Sequence, residues 1–242
     1  MKPRLLVVRS GERPFPAELV AGLEVVDRSS HQIVTLYPDA ALLDGRFDLV
    51  IVTSRAAVER LVAREDLRAR LSGRVVAVGP ATAELARAHL ATPVEEGGGS
   101  ARRILEMLPR SLSGNRILLP RGEDADEELA REIARRGAEV VPLTLYRKVR
   151  RAYDPVLDPL VTGAGGVAVF CATSPAAARW LFDGAGAGAL DRLRRTAAIA
   201  LGESTREELV RRGVLRVEIV LPPTFESVAR LAVSLAGRAA GA

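Results

Sequence analysis

The chain has 242 residues, of which 48% are hydrophobic and 27% are charged, so it is long enough for one large domain or two ordinary ones. No apolar stretch approaches the roughly 20 residues that a membrane-spanning helix needs, and the apolar segment within residues 1–10 is too short for a secretory signal. The single cysteine excludes an internal disulfide and is typical of a reducing compartment, so we expect a cytoplasmic protein without membrane contact.

The net charge is +5, from 35 Lys and Arg against 30 Asp and Glu. A nucleic acid and a small polyanionic ligand both fit this mild excess. However, aromatic residues make up only 4% and no dense basic block occurs, so the chain is poorly supplied with surfaces on which bases stack.

Short apolar runs alternate with helical patterns along nearly the whole chain, which predicts an α/β fold. Each run is typical of a strand buried on both faces of a parallel sheet. The runs are RLLVVRS (4–10), DLVIVTS (48–54), RVVAVGP (74–80), NRILLPR (115–121), VAVFCATS (167–174) and TAAIALG (196–202). The predicted helices between them include AELARAHL (83–90) and DEELAREIARRG (126–137), the second of which ends at Gly137.

The chain is similar to itself in two registers, which predicts an internal duplication. Repeat A pairs RLLVVRSGE (4–12) with RILLPRGE (116–123), and IVTLYP (33–38) with PLTLYR (142–147). Repeat B pairs DLVIVTSRAAVERLV (48–62) with VAVFCATSPAAARWLF (167–182), and VAVGPATAEL (76–85) with AIALGESTREEL (198–209). Repeat B continues with GGGSARRIL (97–105) and PTFESVARL (223–231), which aligns Ser100 with Ser227.

The repeats follow one another as A-B-A-B, which allows two divisions into lobes. The simple division is 1–110 and 111–242. Alternatively, HQIVTLYPDA and VVPLTLYRKV are antiparallel connectors, so that about 38–145 forms one lobe and the two chain ends form the other. Two lobes joined in this way would leave a hinged cleft, which is a common place for a ligand.

Four predicted strand ends carry hydroxyl groups at the start of a helix. Ser54 and Ser174 stand where an N-cap would, and Thr82 and Thr205 each follow a strand-ending glycine, Gly79 or Gly202, by three residues. Taken singly, each is explained by helix capping or by a backbone hydrogen bond. Their repetition favours a receptor for carboxylates, because helix N-termini gather at the carboxyl edge of a parallel sheet.

Other features of the chain do not indicate a catalytic or metal site. His31 and His89 have no ligand-spaced partners, and Cys171 lies within a predicted strand, where we expect core packing. The glycine-rich GAGAG at 184–188 follows a helix and not a strand, and GGGS at 97–100 lacks the Lys-Ser/Thr of a phosphate loop. No nucleophile–base pair is visible, so the residues alone predict a two-lobed receptor for a small anion.

The motifs of this chain resemble those of the uroporphyrinogen-III synthase family, enzymes of the tetrapyrrole pathway, over essentially the full length. The motifs, in order, are VVRSGE, FDLVIVTSRAAVERL, VAVGPATAELARA, ILLPRGE, GAEVVPLTLYRK, AVFCATSPAAARWL, AIALGESTREELVRRG and PPTFESVARL. Val8-Arg9-Ser10 departs from a Thr-Arg-Pro-like sequence found in many members, and Glu203 stands where a proline is frequent.

The resemblance implies an α/β fold of two similar lobes, each a flavodoxin-like parallel β-sheet flanked by helices, joined by a two-stranded connector. Lobe one would contain 1–34 and 149–242 and lobe two 38–145, with 35–37 and 146–148 as the connector strands. Linear hydroxymethylbilane would lose water, invert its terminal pyrrole ring through a spiro intermediate and close to uroporphyrinogen III in the cleft. The resemblance implies no cofactor, no metal and a monomer.

Left alone, the same substrate closes without inversion to the type I isomer, so the enzyme would act mainly by orientation and charge placement. Tyr146 matches the family's connector tyrosine and is the expected general acid for the departing hydroxide. Tyr37 is its partner in the repeat, but the resemblance implies no comparable role for it. The expected substrate-binding residues are Thr82, Thr205, Ser174, Ser54, Gly79, Gly202, Arg9, Arg121, Arg147 and Lys148. The four basic residues in this set are chosen for the carboxylates of the substrate and not from the family.

Two other classes of function stay open from the sequence. A non-catalytic sensor would keep the two-lobed receptor and bind a tetrapyrrole or another polycarboxylate. A basic nucleic-acid-binding protein would show a steep salt dependence of DNA affinity, although no other feature of the chain favours it.

Overall fold

The structure is a computed structural model that describes residues 2–39, 43–69, 71 and 73–240. The chain divides into two compact units. Unit 1 comprises Met1–Gln32 and Val149–Ala242, and unit 2 comprises Ile33–Lys148. Unit 2 is therefore one continuous segment, whereas unit 1 is assembled from both ends of the chain.

Strands and helices alternate through both units. The strands of the described residues are β1 (Arg4–Arg9), β2 (Glu24–Ser29), β3 (His31–Thr35), β4 (Leu49–Val52), β5 (Arg74–Ala77), β6 (Val94–Glu96), β7 (Arg116–Gly122), β8 (Glu139–Arg150), β9 (Val167–Ala172), β10 (Ala197–Ala200) and β11 (Val217–Ile219). The helices are α1 (Arg55–Val62), α2 (Glu65–Arg68), α3 (Pro80–His89), α4 (Ala101–Met107), α5 (Glu128–Arg135), α6 (Leu157–Thr162), α7 (Pro175–Gly184), α8 (Ala187–Arg195), α9 (Glu203–Arg211) and α10 (Phe225–Ala240), and a 3₁₀ turn covers Ala17–Leu19.

All six predicted apolar runs form strands, and the α/β fold of two parallel sheets flanked by helices is confirmed. Successive side chains of a strand point to opposite faces of the sheet, and helices cover both faces, so consecutive residues are buried. In β1, Leu6 and Val8 pack into one core cluster of unit 1, whereas Leu5 and Val7 pack into the other. The two predicted helices also form, and Gly137 follows α5 with a φ of +95°, which a residue with a side chain rarely adopts.

The five strands of the first sheet run in the order β11-β10-β9-β1-β2, and every neighbouring pair is parallel. In chain order this is the 2-1-3-4-5 arrangement of flavodoxin-like folds. The chain leaves β1 and β9 toward opposite sides of the sheet, so a crevice is expected at the carboxyl ends of these two strands.

The second sheet has the order β3-β8-β7-β4-β5-β6. From β8 to β6 its pairs are parallel and its arrangement is that of the first sheet, with β7 and β8 in the places of β1 and β2. Because β7 and β8 follow β4–β6 along the chain, unit 2 is a circular permutation of unit 1. The permutation is what the A-B-A-B order of repeats produces when the central B and A segments fold together.

Strand β3 extends the second sheet at the β8 edge. The Leu36 N–H donates to the Leu145 carbonyl oxygen at 2.8 Å, and the Arg151 N–H donates to the Ser30 carbonyl oxygen at 2.9 Å. Residue numbers rise along one segment as they fall along the other, so β3 and β8 are antiparallel. The chain passes between units 1 and 2 in these two strands.

Two details of the predicted repeat are wrong. The register pairs Arg4 with Glu24 in the first sheet and Arg116 with Glu139 in the second, so the strand equivalent to β8 is β2. Tyr37, which lies beyond β3, is therefore not the structural partner of Tyr146. The sequence Glu-Val-Val occurs at both 24–26 and 139–141, and aligning these two segments gives the correct equivalence of β2 with β8.

The second error concerns the last helix of each repeat B. Ser100 accepts a hydrogen bond from the Arg103 N–H at 3.2 Å, and Thr224 accepts one from the Ser227 N–H at 3.2 Å. Thr224, not Ser227, is therefore the equivalent of Ser100. The apolar spacing within these two helices tolerates both alignments, and only the capping contacts distinguish them.

Cys171 is fully buried in the core, as its place in a strand predicts, and this burial raises the pKa of its thiol. Within the described part of the chain, no helix has the length and apolar character needed to cross a membrane.

Candidate active site

The carboxyl ends of β4 and β7 form the switch point of the second sheet. The two strands are neighbours, and Ser54 follows β4 while Arg121 and Gly122 end β7. A pocket of about 520 Å³ opens here. Its lining includes Thr53, Ser54, Arg121, Gly122, Tyr146 and Lys148. The structure therefore brings Ser54, Arg121, Tyr146 and Lys148, four of the predicted site residues, to one pocket.

Ser54 is the N-cap of α1, which is the capping role that its position predicts. Its Oγ accepts the Ala57 N–H at 3.1 Å. The same oxygen lies 3.0 Å from the hydroxyl oxygen of Tyr146, within hydrogen-bond distance. The cap uses only one of the two lone pairs of the Ser54 hydroxyl, so the proton and the second lone pair are available for another hydrogen bond.

Tyr146 is buried, with 4% of the residue exposed, and it lines the pocket together with Ser54, to which its hydroxyl is hydrogen-bonded. A Cβ on Gly122 would lie 2.8 Å from Cε2 and Cζ of the Tyr146 ring, so the ring occupies the space that a side chain would need. The guanidinium carbon of Arg60 lies 5.5 Å from the centroid of the ring. The position of the phenol is thus fixed by a strand, a helix and a glycine.

Gly122 and Arg60 are contributors that the sequence reasoning missed. The motif ILLPRGE contains Gly122, but its repeat RLLVVRSGE has Ser10 between the arginine and the glycine. The alignment of the two repeats therefore does not indicate that a glycine is required at position 122. The register shift between Arg121 and Gly122 places Gly122 opposite Tyr146, and this irregularity has no sequence signal.

Three of the four predicted basic ligands already have carboxylate partners. The Arg9 Nε donates to both carboxylate oxygens of Asp27, at 2.8 and 2.9 Å, and Lys148 pairs with Asp124 at 3.0 Å. Arg121 pairs with Glu127, whose hydrogen bond raises the pKa of the guanidinium. Nε of Arg121 is buried without a partner among the described residues.

Arg147 differs from these three because its side chain is exposed and forms no ion pair with a described residue. Of the four, it is the basic residue whose charge a bound carboxylate would meet without displacing a partner from the described part of the chain.

The two predicted threonines have matching surroundings. The N–H of Thr82 donates to the Gly79 carbonyl oxygen at 3.1 Å, and that of Thr205 donates to the Gly202 carbonyl oxygen at 3.1 Å. Both residues are buried, with 6% and 3% exposed, but neither hydroxyl oxygen is a buried atom that lacks a partner, so each reaches the surface. Neither hydroxyl bonds to a described residue. The backbone hydrogen bond of a threonine side chain, which was the structural alternative, is therefore not formed at either position.

Neither Gly79 nor Gly202 is demanded by the fold. Both have extended backbones, and a Cβ would meet no atom within 4 Å at Gly202 and only the Cα of Gly99, at 3.6 Å, at Gly79. A side chain would therefore fit at either glycine, and the space beside these two helix starts is not filled by the described residues.

The switch point of unit 1 repeats that of unit 2 with different partners. Ser174 caps α7 by accepting the Ala177 N–H at 3.1 Å, and its hydroxyl donates to Ser10 Oγ at 3.0 Å. The Ser10 N–H in turn donates to Thr173 Oγ1 at 3.3 Å. Within the described part of the chain, no group of three His, Cys, Asp or Glu residues is placed to hold a metal ion.

Two doubly wound sheets of one arrangement, each with hydroxyl groups at its switch point, define a duplicated α/β protein. The family model of uroporphyrinogen-III synthase HemD matches residues 18–229. The chain belongs to the uroporphyrinogen-III synthase family, whose members are cyclising lyases of haem biosynthesis.

Solved structures of the same family share the fold. A mutant uroporphyrinogen III synthase of Thermus thermophilus is 21% identical, with 97% of this chain and 99% of that chain covered and a TM-score of 0.61. The Helicobacter pylori enzyme is 18% identical, with 96% and 99% covered and a TM-score of 0.64. A comparison with curated proteins found no match. The comparisons give no support to the sensor alternative.

Proposed function

We propose that this chain converts hydroxymethylbilane to uroporphyrinogen III, with Tyr146 as the general acid. The observation that carries the activity is the family match over residues 18–229. Support for the role of Tyr146 comes from its place in the lining of a pocket of about 520 Å³ at a sheet switch point, where its hydroxyl is bonded to Ser54, another lining residue.

In the proposed reaction, the phenol of Tyr146 donates its proton to the hydroxyl of the substrate as the carbon–oxygen bond breaks, and water departs. The remaining cation is attacked by the substituted carbon of the terminal pyrrole, which gives the spiro intermediate and then the inverted ring. Closure of the macrocycle releases a proton, which restores the phenol. The acid thus returns to its starting state without another reagent.

Binding is proposed to depend on neutral donors and on one accessible cation. Thr82 and Thr205 have hydroxyls that reach the surface without a partner among the described residues, and Arg147 has an unpaired charge there, so these three residues are the best supported ligands for substrate carboxylates. Ser174, Gly79 and Gly202 border the same kind of helix start. Arg9, Arg121 and Lys148 would each have to share a carboxylate partner with the substrate, so their contribution is proposed to be smaller.

The remaining proposals concern the surroundings of the enzyme. We propose that it acts as a monomer in the cytoplasm, without a nucleic-acid partner, a metal or a cofactor.

Product analysis tests the proposed activity. Hydroxymethylbilane is generated in situ, the protein is added with a chelator, and the ratio of type III to type I isomer is measured by chromatography after oxidation. We expect mainly type III. If only type I forms, the chain lacks the activity, and a tetrapyrrole-binding measurement then tests the sensor.

The same assay tests the role of Tyr146. Tyr146→Phe keeps the buried ring but removes the proton, so we expect turnover to fall by about 100-fold. Tyr37→Phe is the matched control, because Tyr37 is exposed and contacts Arg64, and it should leave turnover unchanged. A loss of only about twofold in Tyr146→Phe would mean that orientation without a phenolic acid carries the step.

A further inference from the structure

Ser54 Oγ is the only hydrogen-bond partner that the Tyr146 hydroxyl has among the described residues, at 3.0 Å. One lone pair of Ser54 Oγ is already engaged, because it accepts the Ala57 N–H at 3.1 Å. The serine proton is not used by that contact and is available to the phenol oxygen.

The direction of this hydrogen bond decides what the phenol can do. If the phenol donates to Ser54, its proton points at the serine and not at a ligand. If Ser54 donates to the phenol, the phenol proton is left for a hydroxyl group bound in the pocket. Once the phenol has lost its proton, only the second direction exists, because a phenolate has no proton to donate and accepts strongly.

We infer that Ser54 is a positioning residue for Tyr146 and not a ligand of the substrate. It donates a hydrogen bond to the phenol oxygen, which directs the phenol proton toward the departing hydroxyl and stabilises the phenolate while the carbon–oxygen bond breaks. The inference rests on the proposed function, in which Tyr146 is the acid.

The surroundings of the ring support this role. Gly122 leaves the space that the ring fills, and the guanidinium of Arg60 lies 5.5 Å from the ring centroid. The phenol is therefore held from one side by packing and from its oxygen by Ser54. Together, these contacts keep a single orientation.

Unit 1 provides an internal comparison. Ser174 caps α7 with the same geometry as Ser54 caps α1, but its hydroxyl bonds to Ser10 and not to a phenol. Helix capping is thus common to both units, whereas the contact with a tyrosine belongs to unit 2 alone among the described residues. This difference separates the two roles of Ser54.

Ser54→Gly and Ser54→Thr test the inference with hydroxymethylbilane as substrate. Glycine is tolerated at an N-cap at little cost to the helix, so Ser54→Gly removes the hydroxyl while α1 persists. We expect kcat to fall about tenfold with an unchanged KM. Ser54→Thr keeps both the cap and the proton, and it should restore at least half of the wild-type kcat. Thr224→Gly, which removes the cap of α10, should leave kcat unchanged.

A double-mutant cycle with Tyr146→Phe decides between positioning and direct binding. Phenylalanine has no hydroxyl to orient, so Ser54→Gly should have no further effect in the Tyr146→Phe background. Equal losses in both backgrounds, or a raised KM with an unchanged kcat, would overturn the inference and leave the proposed function standing. Wild-type turnover in Tyr146→Phe would overturn both the inference and the acid role of Tyr146, whereas the proposed conversion of hydroxymethylbilane would stand.

Discussion

Thr82 and Thr205 are buried residues whose hydroxyls reach the surface without a partner among the described residues. Each backbone N–H is bonded to a glycine carbonyl, yet each side-chain hydroxyl bonds to no described residue. A hydroxyl that reaches the surface can bond to water in the free protein, so it adds little to the stability of the fold and remains available to a ligand. We therefore expect that replacing either threonine leaves the free energy of unfolding unchanged but reduces activity.

Thr205→Val tests this expectation because valine has nearly the same shape and no hydroxyl. We expect the free energy of unfolding to stay within about 0.5 kcal/mol of wild type or to rise, while kcat/KM falls about tenfold or more. Urea denaturation and the cyclisation assay give the two values. Thr82→Val should behave in the same way.

Thr196→Val is the control for these substitutions. Thr196 is equally buried, but its hydroxyl donates to the Arg192 carbonyl oxygen at 2.8 Å. Its replacement should therefore lower the free energy of unfolding by about 1 kcal/mol and leave activity unchanged. If Thr205→Val instead loses stability but keeps full activity, its role is structural.

At the scale of elements, helix α9 carries a buried carboxylate surrounded by arginines. Glu208 is 4% exposed and accepts a hydrogen bond from the Arg212 Nε at 2.9 Å, while Arg179 lies 3.4 Å away and Arg211 is a further partner. Burial by itself would raise the pKa of Glu208, but the hydrogen bond from Arg212 and the charges of its arginine partners outweigh it and lower the pKa. Glu208 therefore links α9 to α7, where Arg179 lies.

The lowered pKa predicts a dependence of stability on pH. A carboxylate whose pKa is lower in the folded state stabilises the fold fully above its unfolded pKa of about 4.3, and this stabilisation is lost as the pH falls through the folded value. The free energy of unfolding should therefore decrease from about pH 5 downward. Glu208→Gln should cost about 2 kcal/mol at neutral pH and flatten this acid limb.

Glu207→Gln provides the matched control for urea denaturation across this pH range. Glu207 is the neighbouring residue on α9 and is exposed, so its substitution should change neither the neutral stability nor the acid limb. An acid limb in Glu208→Gln as steep as that of wild type would assign the dependence to other carboxylates.

At the scale of the whole molecule, each core belongs to one unit. The two core clusters of unit 2 draw their buried residues only from 43–146, and those of unit 1 draw theirs only from the two chain ends. A continuous segment with its own core is expected to fold by itself. The circular permutation thus has a consequence that can be measured with fragments.

The fragment 33–148 should unfold cooperatively in urea, with a single transition in far-UV circular dichroism. The fragment 1–110, which corresponds to the simple division of the sequence, is the control. It retains β4 but lacks β7, the strand against which β4 pairs, so it should show no cooperative transition. The reverse result would contradict the division seen in the structure.

The local pattern of the sequence determined the elements of this protein. Runs of buried apolar residues predicted six strands, and Gly137 predicted the end of a helix, because burial periodicity and backbone freedom are properties of short segments. The cap positions of Ser54 and Ser174 were also predictable, since a capping side chain bonds an amide only three residues away. The repeated motifs further predicted a duplicated α/β fold, and their resemblance to a family pointed to the reaction.

Only the tertiary structure decided which segments meet. It placed β7 beside β4, and hence brought Tyr146 to Ser54 and Gly122. The sheet register also showed that Tyr37, which the six-residue match IVTLYP with PLTLYR had suggested, is not the structural partner of Tyr146. It also showed that Arg9, Arg121 and Lys148 already have carboxylate partners. The physical reason is that strand pairing and ion pairing join residues far apart along the chain, and their free energies depend on long-range packing that no local pattern records.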